Sequence, residues 1–207
     1  HKLAGLNVRT SNHCSEITLP TGIDKDGNDR TAVCCLSSLN LETYDEWKDE
    51  PNFIEDVMRF LDNVLTDFIN RAPDSFKNAK YSAMRERSVG LGVMGFHSFL
   101  QKKSIPLQSV MSKVWNNKIF KHIQTNVDKA SKKLAEERGS CPDAEEYGFK
   151  ERFSNKTAIA PTASISIICG GASPGVEPVA ANSYTHKTLS GSYNVRNRYL
   201  AKILEKY

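Results

Sequence analysis

The clearest pattern of apolar positions predicts two amphipathic helices. Residues 52–70 repeat apolar side chains every three to four positions between Pro51 and Pro73. The predicted core stripe of this helix comprises Phe53, Val57, Phe60, Leu61, Val64, Leu65 and Phe68. Residues 109–138 repeat the pattern and predict a longer helix that ends at Gly139. Its predicted inward positions are Val110, Val114, Ile119, Ile123, Val127 and Leu134.

Shorter apolar runs predict extended segments and strands. Residues 6–19 are predicted to be extended, and residues 31–41 form a mostly apolar run typical of a buried strand. Residues 24–29 are rich in Asp, Asn and Gly, which predicts a solvated hairpin turn. A calcium loop is not supported, because the distal glutamate that such a loop requires is missing. A further short strand is predicted at residues 156–160.

Three glycines, Gly90, Gly92 and Gly95, have the spacing of a dinucleotide-binding fingerprint. That fingerprint also requires a preceding strand and an acidic residue about 20 positions further on. Amphipathic residues follow the glycines here, and no plain second strand does. We therefore interpret the three glycines as close-packing positions in or before a helix.

Candidate chemistry is concentrated where Asn12, Cys14 and Glu16 occupy alternate positions. Side chains two apart in an extended segment point to the same face, so an amide, a thiol and a carboxylate could meet one substrate. The alternative is a small buried cysteine between ordinary loop residues. Cys34 and Cys35 are adjacent, so their side chains should diverge, one towards the site and the other away from it.

Composition and charge exclude several other classes of protein. The 207 residues carry 28 basic and 24 acidic side chains, a net charge of +4. The charges are interspersed, which suits a small anionic substrate and does not indicate nucleic-acid binding. The sequence has no run of about 18 apolar residues, so no membrane span is predicted. Five cysteines without small-domain spacing argue against a secreted disulfide framework and favour a cytoplasmic protein.

Four segments occur in an order that a known family shares. Residues 12–21 read Asn-x-Cys-x-Glu-Ile-x-Leu-Pro-Thr, residues 33–41 contain the paired cysteines, residues 87–96 contain the glycines, and residues 160–178 join Ala-Pro-Thr-Ala-Ser-Ile-Ser to Pro-Gly-Val-Glu-Pro. Together they resemble the large (alpha) subunit of class I ribonucleotide reductase. The first segment resembles its finger loop, the second the carrier of one reducing cysteine, and the fourth its phosphate-binding loop.

The resemblance implies a fold and a reaction. Residues 1–207 would be a helix-rich portion of the ten-stranded α/β barrel of that family, as a fragment or a split chain. The reaction would convert ribonucleoside diphosphates to their 2′-deoxy forms for DNA precursor synthesis. Cys14 would become a thiyl radical that takes the 3′ hydrogen, Glu16 would act as general base on the 3′-hydroxyl, and Asn12 would hold Glu16 and the substrate hydroxyls. Cys34 would be half of the reducing dithiol.

The implied substrate contacts come from the finger loop and the phosphate-binding loop. The segment at residues 161–165 could present the backbone N–H groups of its last four residues to a diphosphate at the start of a helix. The same residue types also suit a plain helix N-cap. The implied set is Ser11, Asn12, His13, Cys14, Ser15, Glu16, Pro161, Thr162, Ala163, Ser164 and Ile165. By strand alternation the ring of His13 points away from the site, and it receives no catalytic role.

The resemblance also implies partners. No metal or other cofactor would be bound by this chain. A metal-containing small (beta) subunit would supply the radical, and thioredoxin or glutaredoxin would act as dithiol reductant. The second reducing cysteine and the tyrosine pair of the radical path have no counterpart here. We therefore expect residues 1–207 to require the remaining alpha-subunit sequence and to be inactive alone.

Two alternatives stay open. A cobalamin-dependent (class II) reductase shares Asn-x-Cys-x-Glu, but that class tends to have Pro-Cys-Gly-Glu and Cys-Asn-Leu-Gly-Ser. This chain has His13-Cys14-Ser15-Glu16 and a second segment that reads Cys-Cys-Leu-Ser-Ser from Cys34, which favours class I. The other alternative is a non-catalytic nucleotide-binding chain. The intact set of Asn12, Cys14, Glu16 and Cys34 argues against it.

Overall fold

The computed structural model describes residues 6–206. The strands are β1 (Gly22–Ile23), β2 (Asp29–Arg30), β3 (Leu36–Asn40), β4 (Gly90–Met94), β5 (Ser183–Thr188) and β6 (Gly191–Arg196). The helices are α1 (Tyr44–Trp47), α2 (Phe53–Arg71), α3 (Lys77–Glu86), α4 (Phe96–Lys102), α5 (Val110–Arg138), α6 (Pro142–Glu146), α7 (Ile165–Ile168) and α8 (Arg198–Leu204). Short 3₁₀ turns lie at Leu41–Thr43 and Asp74–Phe76.

Two parallel strands, β3 and β4, form the layer that carries the candidate site. Their register runs from Leu36 opposite Gly90 to Asn40 opposite Met94. The chain at Thr157 adds a parallel bridge to Leu91 on the other side of β4. This three-segment parallel arrangement is typical of α/β folds, in which helices cover the faces of a parallel sheet.

The glycines of β4 allow this third segment to approach. A methyl group on Gly92 would lie well inside van der Waals contact of the Ala158 carbonyl, and one on Gly90 would meet the Ala158 methyl group. Gly95, with φ of +78°, then turns the chain into α4. The close-packing interpretation of the glycines is confirmed, and β4 is the strand that precedes the helix.

Helix α2 begins and ends within a residue of its predicted bounds, but its predicted core stripe is partly wrong. Phe60 is 62% exposed and Val64 is 42% exposed. The buried positions are Ile54, Met58, Leu61, Asp62 and Leu65. The apolar stripe is wider than the contact with the core, and the neighbouring elements cover one edge of it.

Helix α5 also matches its prediction except in its first turns. Ile119, Ile123, Val127 and Leu134 are buried as predicted. The prediction is wrong for Val110, which is 75% exposed, and for Val114, which is 49% exposed, because the helix begins beyond the edge of the core. Gly139 ends the helix with φ of +85°, and its N–H donates to the Ala135 carbonyl.

The strands are shorter than predicted. Only Leu36–Asn40 of the run at residues 31–41 is a strand, and residues 156–160 contribute a single bridge at Thr157. The hairpin turn at residues 24–29 is confirmed between β1 and β2. The Asp24 carboxylate accepts the backbone N–H groups of Asp26 and Asn28 and pairs with Arg30. The Asp24 carboxylate therefore serves the turn itself.

Candidate active site

The segment that carries Asn12, Cys14 and Glu16 is a tight loop. The N–H of Ser15 donates to the Asn12 carbonyl at 3.1 Å, and Ser15 has φ of +61°. The Ile17 N–H donates to the Asn12 side-chain oxygen at 3.3 Å. The prediction of an extended segment is wrong for residues 13–16, because Asn and Ser side chains close turns by bonding to nearby backbone. Strand alternation therefore does not explain the site.

The loop presents its three candidate groups differently. Cys14 is exposed near the apex. Glu16 is half-buried, and its Oε2 has no hydrogen-bond partner in the described part of the chain. Asn12 binds the Ile17 N–H, and within residues 6–206 no hydrogen bond joins Asn12 to Glu16. His13 is exposed, and the Ser11 hydroxyl donates to the Asn12 carbonyl and contacts the Ser15 hydroxyl.

Two apolar residues fix the base of the loop to the parallel layer. Ile17 and Leu19 are buried against Ala158, with Leu36 packed beside them. Ala158 is the same residue that packs on the glycines of β4. The glycine pattern predicted a close neighbour, but nothing in the sequence identified Ala158 as that neighbour. Ala158 thus contacts the base of this loop on one side and β4 on the other.

The adjacent cysteines diverge as expected, although they precede β3. The Cys35 thiol donates to the Leu61 carbonyl at 3.8 Å and packs against the main core. Cys34 lies on the other side and is exposed, but partial desolvation by its neighbours and then the charge of Glu16 raise the pKa of its thiol to about 11. Cys14 also acts electrostatically on Cys34. The structure therefore brings Cys14, Glu16 and Cys34 into one electrostatic environment.

This environment predicts a slow reaction of Cys34 with alkylating reagents at neutral pH, because the thiolate is the reactive form. We expect the rate of the iodoacetamide reaction at Cys34 to rise with pH until about 11, the raised pKa of its thiol. The usual pKa of a cysteine thiol is 9.0. Glu16→Gln should shift this profile to lower pH, since it removes a negative charge that opposes ionisation. Mass spectrometry of the Cys34 peptide measures the profile, and the urea-unfolded chain is the control. Half-maximal reactivity at pH 9 or below in the folded protein would contradict the assignment.

The second predicted segment forms a loop that leads into α7. Pro161, Ala163, Ser164 and Ile165 are exposed, and Thr162 is buried. The Thr162 hydroxyl accepts the Gly175 N–H at 2.8 Å. In the chain from residue 6 to 206, the backbone N–H groups at positions 163–165 donate to no carbonyl. These N–H groups are available to an anion, but α7 has only four residues, so a helix dipole adds little.

The described residues offer neither a cluster of metal ligands nor a membrane-spanning helix. No group of three or more His, Cys, Asp or Glu side chains between residues 6 and 206 could hold a metal ion. None of the helices described above has the length and apolar character needed to cross a membrane.

The fold and the site together define a parallel α/β protein whose candidate chemistry combines two thiols, one carboxylate and a loop of free backbone N–H groups. Residues 2–151 and 143–207 match the family model described as "Ribonucleotide reductase, barrel domain". The chain belongs to this family, and it is an α/β part of the barrel domain.

Individual relatives agree with the family model. A ribonucleoside-diphosphate reductase large subunit from Invertebrate iridescent virus 3 is 46% identical over 99% of the chain, which spans 31% of that protein. A vitamin B12-dependent ribonucleoside-diphosphate reductase from Thermoplasma acidophilum is 37% identical over 76% of the chain, which spans 21% of that protein. The solved Actinobacillus ureae class Id ribonucleotide reductase alpha subunit matches with a TM-score of 0.86, at 38% identity, over 99% of this chain and 36% of that one. The chain thus spans about a third or less of these relatives.

Proposed function

We propose that the protein containing this chain reduces ribonucleoside diphosphates to 2′-deoxyribonucleoside diphosphates, with Cys14 as the radical-carrying residue. The observation that carries the proposal is the common environment of Cys14, Glu16 and Cys34 around a loop fixed to the parallel layer. A radical abstraction requires a sulfur held against one carbon atom, which a loop fixed to a rigid layer can supply.

Cys14 and Glu16 have complementary roles in this reaction. The exposed Cys14 thiyl radical takes the 3′ hydrogen of the ribose, which leaves the radical on the substrate until Cys14 returns the hydrogen atom to C3′ at the end of the turnover. Glu16 takes the proton of the 3′-hydroxyl, and this helps to expel the 2′-hydroxyl as water. The enclosed Oε2 of Glu16, without a partner in the described chain, supports this role, because a buried carboxylate oxygen needs a hydrogen-bond donor. Asn12 orients the loop through Ile17 and can offer its amide NH₂ group to substrate hydroxyls.

Cys34 supplies part of the reducing power. At neutral pH its raised pKa keeps the thiol protonated, so Cys34 can provide a proton to the departing hydroxyl. Cys34 and a second thiol each give one electron as the pair is oxidised to a disulfide. These two electrons, with two protons, balance the loss of one water from the ribose. An external dithiol reductant such as thioredoxin or glutaredoxin would then restore the pair.

The diphosphate would bind at the second loop. The free N–H groups at positions 163–165 and the Ser164 hydroxyl are donors suited to phosphate oxygens. Ala158 lies three residues before Pro161 and contacts the base of the finger loop, so one short stretch of chain relates the two loops. Ser11, His13 and Ser15 would complete the finger-loop surface at the substrate. The turn at residues 13–16 removes the strand alternation by which the His13 ring was expected to point away.

The chain would act with the remaining alpha-subunit sequence and with a metal-containing small (beta) subunit that generates the radical. The chain spans 31–36% of two of its relatives, and its surface exposes large apolar side chains such as Phe60 and Phe76. Such side chains suit contact with further protein. Alone, residues 1–207 would not reduce nucleotides.

A cobalamin-dependent reductase is the alternative that a specific observation favours, since a relative with that name matches the chain. The test supplies the complete protein containing this chain with a ribonucleoside diphosphate and a dithiol, and adds either a radical-generating small subunit or adenosylcobalamin. We expect deoxynucleotide only with the small subunit. Product with adenosylcobalamin alone would establish the alternative, and no product under either condition would leave a non-catalytic nucleotide-binding chain.

A further inference from the structure

Two buried serines connect the second loop to α4. The Ser98 N–H donates to the Ser173 hydroxyl at 3.1 Å, and the Ser173 N–H donates to the Ser98 hydroxyl at 2.9 Å. The Gly95 N–H adds a bond of 2.7 Å to the Ser173 carbonyl. Ser98 is 3% exposed and Ser173 is 0% exposed, so water does not compete for these bonds.

The connection continues from Ser173 to the proposed phosphate-binding loop. Two residues after Ser173, the Gly175 N–H donates to the Thr162 hydroxyl at 2.8 Å. On the other side of Ser173, the N–H groups of Gly171 and Ala172 donate to the Ser166 carbonyl at 3.0 and 3.1 Å. The stretch from 171 to 175 therefore holds both ends of the 162–166 turn and is itself held by α4.

Thr162 is consequently occupied within the protein. Its side chain is 2% exposed and accepts a backbone N–H, while its neighbours at positions 161 and 163–165 are exposed. This arrangement assigns Thr162 to the support of the loop and leaves the phosphate contacts to the exposed N–H groups.

We propose that Ser98 is a positioning residue for the diphosphate of the substrate. Ser98 lies in α4, outside the loop. It acts through Ser173 and Gly175 on the N–H groups at positions 163–165. Backbone donors must hold their geometry to bind an anion well, and small displacements of positioning groups have large effects. This inference rests on the proposed function, in which the loop binds the diphosphate.

The experiment compares the complete protein with its Ser98→Ala and Ser173→Ala variants. Dissociation constants are measured for a ribonucleoside diphosphate and for the same nucleoside without phosphates, together with KM and kcat for reduction. Either variant should weaken diphosphate binding and raise KM about tenfold, as expected when a buried hydrogen-bonded contact is opened. The dissociation constant of the nucleoside and the kcat should stay within about twofold of the wild-type values. Each single variant removes one of the two reciprocal hydrogen bonds, so the double variant should weaken diphosphate binding further than either single variant.

Ser131→Ala is the matched control, since Ser131 in α5 is 0% exposed and its hydroxyl has no hydrogen-bond partner in the part of the chain described. Ser131→Ala should leave the dissociation constants of both ligands unchanged. Equal weakening of diphosphate and nucleoside by Ser98→Ala, or no change in either, would overturn the inference. If Ser98→Ala does not fold, Ser173→Ala and Thr162→Val decide by the same criterion. A wild-type protein that binds diphosphate no better than nucleoside would instead contradict the proposed function.

Discussion

Replacing Cys14 with serine should abolish deoxynucleotide formation and leave the fold unchanged. A hydroxyl is a much poorer carrier of a hydrogen atom than a thiol, although the two groups are similar in size. Loss of a residue that performs the chemical step reduces turnover by about 10³-fold or more. Cys14 is exposed, and the turn that carries it is closed by the hydrogen bond from the Ile17 N–H to the Asn12 side chain, which the substitution leaves in place.

The assay for Cys14→Ser is deoxynucleotide formation by the complete reductase, with thermal unfolding measured in parallel. Cys169→Ser is the matched control, because Cys169 is also exposed and has no role in the proposed mechanism. We expect Cys169→Ser to keep kcat within about twofold, as surface changes away from a site usually do. Retained turnover in the Cys14→Ser protein would remove Cys14 from the mechanism.

The second large effect is expected on stability, at Asp62. This carboxylate is 0% exposed and accepts hydrogen bonds from three arginines. Arg87 Nη2 lies 2.6 Å and Arg152 Nε 2.9 Å from its Oδ1, and Arg138 Nη1 lies 2.7 Å from its Oδ2. The arginines hold the pKa of Asp62 below its usual value against the effect of burial. One side chain of α2 thus fixes the ends of α3 and α5 and the segment at residue 152.

Asp62→Ala should lower the free energy of unfolding by about 3–5 kcal/mol, because it leaves the buried Arg87 guanidinium without its counter-charge. Typical total stabilities are about 5–15 kcal/mol, so the loss should be visible as poor accumulation of folded protein. Urea denaturation followed by tryptophan fluorescence measures the change, since Trp47 is buried.

Asp67→Ala, on the same helix, is the control. Asp67 pairs with Arg71 at 3.5 Å, and both side chains are more than 60% exposed. Exposed pairs of this kind contribute about 0–1 kcal/mol. A loss below about 1 kcal/mol for Asp62→Ala as well would show that the three arginines do not depend on this carboxylate.

The sequence predicted helices better than it predicted the faces they bury. Pro51 and Pro73 bound α2 by local backbone sterics, which are readable from the sequence. Which part of its apolar stripe is buried depends on neighbours that are distant in sequence, and so Phe60 and Val64 were misassigned. Asp62 illustrates the same limit, because its arginine partners lie 25, 76 and 90 residues away.

The candidate site was predictable in composition but not in geometry. The motif identified Cys14, Glu16 and Cys34. The strand alternation invoked to bring Asn12, Cys14 and Glu16 together fails at the turn that Ser15 makes. Residue types alone could not distinguish a phosphate loop from a helix cap at positions 161–165. The roles of these residues in catalysis and binding remain predictions. Ser98 carried no local signal, because its link to the loop exists only through long-range packing.

The most direct test of the central claim follows the hydrogen that Cys14 is proposed to take. The complete reductase is given an equal mixture of ribonucleoside diphosphate with hydrogen and with deuterium at C3′, and the isotope ratio of the early deoxynucleotide product is measured by mass spectrometry. The account predicts a product enriched in the light isotope, because the sulfur of Cys14 breaks the bond between C3′ and its hydrogen. A product with the isotope ratio of the starting mixture, together with discrimination when deuterium is placed at C2′, would contradict it.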